Sequence, residues 1–246
     1  MIETLAAVSD TPALDLKLLR EHARDDAEFE SFIARRLKHE PVAYITGTRG
    51  FWTIDLDVSP GVLIPRPDSE TLIDAAVAHF GDAGPKCILD LGTGSGALLL
   101  AALDQWRDAT GVGVDASAAA LEIAKQNAQR IAPGRAAMQL GNWSEGIDDV
   151  FDLVLCNPPY VETGAELDPQ VRDHEPACAL FAGADGLDDY RVLAPQLARV
   201  TRGIVCIEIG CTQADRVTTL LQNEGFVVAC RKDLGGHDRC LIATRK

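Results

Sequence analysis

The stretch Phe151 to Tyr160, FDLVLCNPPY, combines the residue types needed to hold a planar amino group. Phe151, Leu153, Val154, Leu155 and Cys156 make an apolar run of strand length. The run must stop at Asn157, because Pro158 and Pro159 cannot donate to a sheet ladder. A residue before proline is pushed into an extended conformation, which fixes how Asn157 leaves the strand. The prolines also remove backbone N–H groups, so this rim offers acceptors with few competing donors. Asn157 adds a side-chain oxygen and Tyr160 a flat ring. Such a rim suits a group carrying an NH2, either a side-chain amide or the exocyclic amine of a nucleobase. Taken alone, the four residues NPPY also allow a plainer reading, a rigid turn at a strand end.

A second constellation, DLGTGSG, holds Asp90, Gly92, Thr93, Gly94, Ser95 and Gly96 between a strand and a helix. Glycines there let the backbone turn sharply and approach a ligand closely. The spacing leaves two ligands open: G-x-G-x-G fits S-adenosylmethionine, while Gly92, Gly94 and Ala97 also satisfy a dinucleotide pattern. Asp115, ending the next strand, suits ribose hydroxyls under either. Asp90 suits an ammonium and opposes a pyrophosphate, and NPPY supplies a target site next door. Both points favour S-adenosylmethionine. Asn142 and Trp143 end a third strand, where an amide oxygen and an indole face suit adenine; an ordinary half-buried tryptophan is the alternative.

The elements that must position these residues follow from periodicity. Residues 13–39 read as two amphipathic helices, with Leu14, Leu18 and Leu19 on one stripe and Phe29, Phe32, Ile33 and Leu37 on the other. Asp25 and Asp26 mark their junction. FWTIDLDV alternates apolar and polar residues among turn-forming glycines and prolines and predicts a β-hairpin. Asp68 or Ser69 then caps a helix running to Phe80. From Lys86 onward strands and helices alternate, the grammar of a parallel α/β sheet. FVVACRKD and RCLIATRK, joined by DLGGHD without a helix, must close it as an antiparallel pair.

The chain has 246 residues, 47% hydrophobic and 24% charged, ordinary for a folded domain with a sizeable core. No apolar run approaches the ~20 residues of a membrane span, and the N-terminus does not read as a signal peptide. Seven cysteines without a C-x-x-C pair suit buried thiols in a reducing compartment. The expectation is a cytoplasmic protein, with no metal site. A net charge of −14 opposes a phosphate backbone. Direct nucleic-acid binding is therefore not expected, although Arg35, Arg36, Lys38 and Arg49 form a candidate basic cluster.

With these motifs in view, the chain resembles the HemK family of protein-glutamine N5-methyltransferases that modify peptide chain release factors. The resemblance runs from about Glu40 to the C-terminus through EPVAYITGTRGFW, VSPGVLIPRPDSE, ILDLGTGSGA, Asp115, Gly141 to Trp143, NPPYVE, HEPACALFAGADGLDDY and IEIG. It implies an α/β fold, a Rossmann-like class I methyltransferase sheet ending in an antiparallel hairpin. Three regions are expected: a short helical docking region (1–45), a β-hairpin linker (46–66) and the methyltransferase domain (67–246). The resemblance further implies that the cofactor is S-adenosyl-L-methionine, contacted by Gly92 to Gly96, Asp115, Trp143 and Asn157, with Asp90 and Asn142 added from the chemistry above. Asn157, Pro158, Pro159, Tyr160 and Phe51 would meet the substrate, and Asn157, Pro158 and Tyr160 would form the catalytic set. The expected partner is a release factor, acted on by a monomer. Two departures stand out. Few residues precede the match, where family members carry a helical domain, and Asn142 occupies a position that is more often acidic.

An amide nitrogen is a poor nucleophile. Hydrogen bonds to the Asn157 oxygen and the Pro158 carbonyl would enrich it and aim it for in-line transfer. No base need act early, because the methylated nitrogen becomes acidic and sheds its proton afterwards; His174 on the next loop is a candidate acceptor, although a lone histidine there is more often structural. Rival readings are a glutamine in a ribosomal protein, amino methylation of adenine or guanine in nucleic acid, a NAD(P) oxidoreductase and a catalytically silent S-adenosylmethionine-binding adaptor.

Overall fold

The computed structural model of the protein describes residues 1–245. A seven-stranded sheet forms its centre, in the order β5-β4-β3-β6-β7-β9-β8. These strands are β3 (Cys87–Leu91), β4 (Thr110–Asp115), β5 (Ala136–Leu140), β6 (Phe151–Cys156), β7 (Thr201–Glu208), β8 (Phe226–Lys232) and β9 (Asp238–Arg245). β3 to β7 run parallel, and β9 and β8 finish the sheet antiparallel, as their helix-free connection requires.

Apolar residues fill the central strands without alternation because both faces are covered. Ile88, Leu153, Leu155 and Ile204 point to one core. There they meet α5 (Glu70–Phe80) and α6 (Ala97–Gln105); α7 (Ala118–Ile131) lies on the same side. Leu89, Val154, Val205 and Ile207 point the other way, toward α9 (Asp188–Val200) and α10 (Ala214–Asn223), which follow the short α8 (Pro169–Arg172). Pro195 lies inside α9 without ending it.

The hairpin joins β1 (Thr48–Phe51) to β2 (Ile54–Asp57). As expected, FWTIDLDV carries the hairpin: IDLD is one strand, Phe51 ends the other strand, TRGF, and Trp52 turns the chain at φ +54°. The buried amide of Asn127 in α7 clips β2 to the glycine turn. It accepts from Asp57 N at 2.8 Å and donates to the Asp57 and Ser95 carbonyls, each at 3.0 Å.

The N-terminal region is more finely divided than the expected two helices. It contains α1 (Ile2–Leu5), α2 (Pro12–His22), α3 (Asp26–Arg36) and α4 (Val42–Thr46). The junction falls at Asp25 and Asp26 as expected, and Asp25 caps α3, accepting from Glu28 N at 2.8 Å. The buried stripe of α2 differs from the expected one. Leu14 is exposed, and Asp15 turns inward beside Leu19. The cause is Arg36, whose Nε donates to Asp15 Oδ2 at 2.7 Å while Nη2 donates to the Val8 carbonyl.

That pairing also takes apart the candidate basic cluster. Arg35 is paired with Glu40, and Arg49 donates to the Pro65 carbonyl, so neither remains a free surface cation. Because the Arg36 and Asp15 side chains are only 4% and 9% exposed, removing one partner strands the other. Asp15→Ala should cost about 3–5 kcal/mol of unfolding free energy. Replacing both by apolar residues (Asp15→Leu with Arg36→Met) should recover most of it, as read in denaturant melts.

Candidate active site

β6 ends where the sheet's strand order reverses, the place where open α/β sheets bind ligands. The strand registers settle what lies there. Leu91 pairs with both Val114 and Cys156, and Cys156 pairs with Ile207. One residue further along each strand places Asp115, Gly92, Asn157 and Glu208 side by side across the carboxyl rim.

The glycine turn is built by positive φ angles at Gly92 (73°), Gly94 (57°) and Gly96 (88°). Both positions favour glycine by conformation, and a Cβ on Gly92 would also crowd the Trp143 ring at 3.2 Å, while one on Gly96 would come within 2.9 Å of the Leu100 side chain. The turn hangs from β4, with Gly92 N and Thr93 N each donating to the Val114 carbonyl at 2.9 Å. Asp115 accepts from Gly94 N through Oδ2 and from Ser117 N through Oδ1, both at 2.8 Å. Each carboxylate oxygen keeps a lone pair for a further donor.

Beside the turn lies a cavity of about 430 Å³ lined by Gly92, Gly94, Val114, Asp115, Asn142 and Trp143 on the sheet side, with Asn157 and Pro159 at one end. Carboxylate, small apolar side chains, indole and close-approach glycines form a donor set that fits a ribose, an adenine and a methionine tail. Asn142 gives its Nδ2 to Glu145 Oε1 at 3.1 Å, which leaves its oxygen to accept. A smaller cavity of about 50 Å³ opens on the other side of the turn. Phe51, Leu63, Pro65, Ser69, Thr93, Ser95 and Asn157 line it. Gly92, Gly94, Leu63 and Asn157 border both spaces.

Two crossing straps roof the large cavity, one through Gly61 to Leu63 and one through Pro176 to Ala179. Glu175 ties them together. Its buried carboxylate accepts from Ile64 N at 3.1 Å and pairs with Arg66. Tyr44 of the helical region donates to the Val62 carbonyl at 2.5 Å and anchors the first strap. His174, the candidate proton acceptor, lies at the far side of the second strap, with Nε2 3.2 Å from the Lys38 carbonyl, and lines neither cavity.

Several residues stand elsewhere than their sequence reading placed them. Asp90 is wholly buried beneath the turn and borders neither cavity. Its Oδ2 accepts from Thr93 Oγ1 at 2.6 Å and Leu99 N at 3.2 Å, and burial pushes its pKa up to about 7. It braces the turn. Gly96 likewise sits behind the turn, at the start of α6. Pro158 is buried, and Tyr160 points away from both cavities to donate to Glu208 Oε1 at 3.2 Å. Trp143 packs on Gly92 at the cavity wall. Phe51 and Asn157 do meet, at the small cavity. Ser69 holds the N-cap position of α5 but caps nothing; its Oγ instead accepts from Asn157 Nδ2 at 3.1 Å. Ser69, Glu208, Glu175 and Asp189, the last lining the large cavity, went unassigned as site residues from sequence, although they lie within VSPGVLIPRPDSE, IEIG and HEPACALFAGADGLDDY. Polar residues inside otherwise apolar or proline-rich runs were the available signal.

The residues from 85 to 224 match a family model described as a methyltransferase domain, and those from 5 to 47 match one described as the PrmC N-terminal domain. The release factor glutamine methyltransferase of Caulobacter vibrioides is 40% identical over 252 residues, covering 100% of this chain and 87% of that one. Its counterpart from Rhodospirillum rubrum is 43% identical over 223 residues, covering 88% and 68%. Among solved structures, a methyltransferase from Pyrococcus furiosus superimposes with a TM-score of 0.60 at 17% identity, over 88% of this chain and 98% of that one. The fold, the paired cavities and this identity over the full chain place the protein in the release factor glutamine methyltransferase family.

Proposed function

We propose that the protein transfers a methyl group from S-adenosylmethionine to the side-chain nitrogen of the glutamine in the Gly-Gly-Gln loop of a peptide chain release factor. The observation that carries this reading is Asn157, the one polar side chain shared by the large cavity and the small one. S-adenosylmethionine, when bound, supplies an electrophilic methyl on its sulfonium. Asp115 would hold the ribose hydroxyls, Asn142 and Trp143 the adenine, and the backbone of Gly92 to Gly94 the methionine portion. Asp90 and Gly96 support that loop from behind.

On the other side, the Asn157 oxygen and the Pro158 carbonyl accept the two amide protons of the glutamine, with Phe51, Leu63 and Pro65 walling the space. Holding both protons keeps the amide from rotating and turns its nitrogen toward the shared border, and positioning of this kind is the main source of rate. Tyr160 takes part through Glu208 and does not touch the substrate. Water takes the product's proton. The helical region offers a surface for the rest of the release factor. Exposed large apolar side chains such as Leu14, Leu140, Val192 and Leu234 are scattered, which favours action as a monomer. No helix among the described residues is long and apolar enough to cross a membrane, and the substrate class argues for a cytoplasmic setting.

Asn157→Ala leaves one acceptor of two, and kcat/KM on a release-factor fragment carrying the Gly-Gly-Gln loop should fall about 100-fold. Wild-type turnover by that variant would contradict the reading. Asp115→Ala should weaken S-adenosylmethionine binding by about 1–3 kcal/mol in calorimetry, the scale of lost charged hydrogen bonds. Tyr44→Phe removes only the tie to the Val62 carbonyl, and it should raise the cofactor Kd about fivefold with little change in KM for the fragment.

A further inference from the structure

Asn157 can hold a glutamine amide only if its own oxygen faces the small cavity. The opposite flip would set NH2 against NH2, two donors with nothing between them. Pro158 cannot help, since it lacks an N–H. What decides the flip is the neighbour on the other side of the carboxamide, Ser69 Oγ at 3.1 Å.

A serine hydroxyl either accepts from the amide nitrogen or donates to the amide oxygen, so the placement of its one proton sets the flip. Ser69 is 4% exposed and has given up capping α5, and among the described residues its Oγ makes no hydrogen bond other than the one with Asn157. The register sets Glu208 beside Asn157 on β7, buried at 1% exposure. Tyr160 donates to its Oε1, while Oε2 has no hydrogen-bond partner among the described residues. The Ser69 hydroxyl is one of the groups that favour the charged Glu208, so its uncommitted proton has an uncommitted acceptor within the cluster.

We infer that Ser69 and Glu208 are positioning residues for the methyl transfer: the Glu208 carboxylate draws the Ser69 proton to itself, which forces Ser69 to accept from Asn157 Nδ2 and turns Asn157 Oδ1 toward the substrate amide. The inference rests on the glutamine reading of the small cavity and assigns its orientation to two side chains that need not touch the substrate.

The lock holds only while Glu208 is charged. Burial pushes its pKa up to about 7, against the favourable pull of the Ser69 and Tyr160 hydroxyls and of Arg239. A raised carboxyl stays protonated until pH climbs through that value, so the locked fraction, and with it kcat, rises with pH through neutrality. Asp68, paired with Arg239 at 3.1 Å, also faces the cluster, as do Tyr190, Cys156 and Cys240. Tyr160, Tyr190, Cys156 and Cys240 are all pushed upward by their surroundings and stay neutral across this range. Asp90 is the other carboxyl raised to about 7, but it lies under the cofactor turn, so saturating S-adenosylmethionine removes its effect on cofactor binding from kcat, and the Glu208→Gln profile separates any limb that remains.

The test measures kcat for the Gly-Gly-Gln fragment at saturating cofactor from about pH 6 to 9. Wild type should show an ascending limb with a midpoint near 7, and Glu208→Gln should be roughly tenfold slower and lack that limb. Ser69→Ala should lower kcat roughly 10- to 100-fold with cofactor Kd unchanged, and Ser69→Thr should restore most of it. Thermal melts establish that the variants are folded. The orientation is also read without turnover. The side-chain amide resonances of Asn157 in ¹⁵N NMR should titrate with the same midpoint in wild type and not in Glu208→Gln, which separates a failure of this inference from a failure of the substrate reading. A folded Ser69→Ala enzyme with wild-type kcat, or an unchanged resonance titration in Glu208→Gln, would overturn it.

Discussion

The abrupt end of the β6 ladder is the constraint on which the site depends. From Leu153 to Cys156 this central strand pairs residue by residue with both β3 and β7. From Asn157 the prolines withdraw the donors, and the chain leaves the sheet with its acceptors unspent. Only a central strand makes this useful, because its neighbours then supply the rest of the rim. β3 brings the glycine turn, β4 brings Asp115 and β7 brings Glu208. A register slip of one residue would replace Asn157 by an apolar side chain, so the apolar core that fixes the register also fixes the chemistry.

Around this rim the molecule joins parts that are distant in sequence. Asn127 ties the hairpin to the glycine turn, Glu175 ties one strap to the other, and Tyr44 ties the helical region to the first strap. The helical region thus supports the large cavity. Its own fold depends on the buried pairing of Arg36 with Asp15, an arrangement that is costly to break from one side and therefore holds the helices in one packing.

Much of this was legible in the sequence. Strand length, glycine spacing and the double proline located the sheet, the turn and the strand end, because each rests on local backbone physics. The helix-free link between the last two strands predicted their antiparallel pairing. What escaped depended on partners far along the chain. Leu14 and Asp15 exchanged places because Arg36 lies 21 residues away, a contact no helical periodicity encodes. The hairpin stands where it was expected, but its turn falls at Trp52, whose left-handed backbone a tryptophan does not announce. Ser69 carried every local mark of an N-cap, and only the fold reveals that it serves Asn157 instead. Asp90 and Tyr160 belong to the motifs that announced the site, yet they act from behind it.

The central claim is that the shared border at Asn157 brings one glutamine amide nitrogen against the cofactor's methyl group. Mass spectrometry of a release-factor fragment after incubation with the enzyme and trideuteromethyl-labelled S-adenosylmethionine tests it directly. The account predicts a single labelled methyl on the side chain of the glutamine in the Gly-Gly-Gln loop and none on any other residue. Label on another side chain, or no label on that glutamine with active cofactor present, would contradict it.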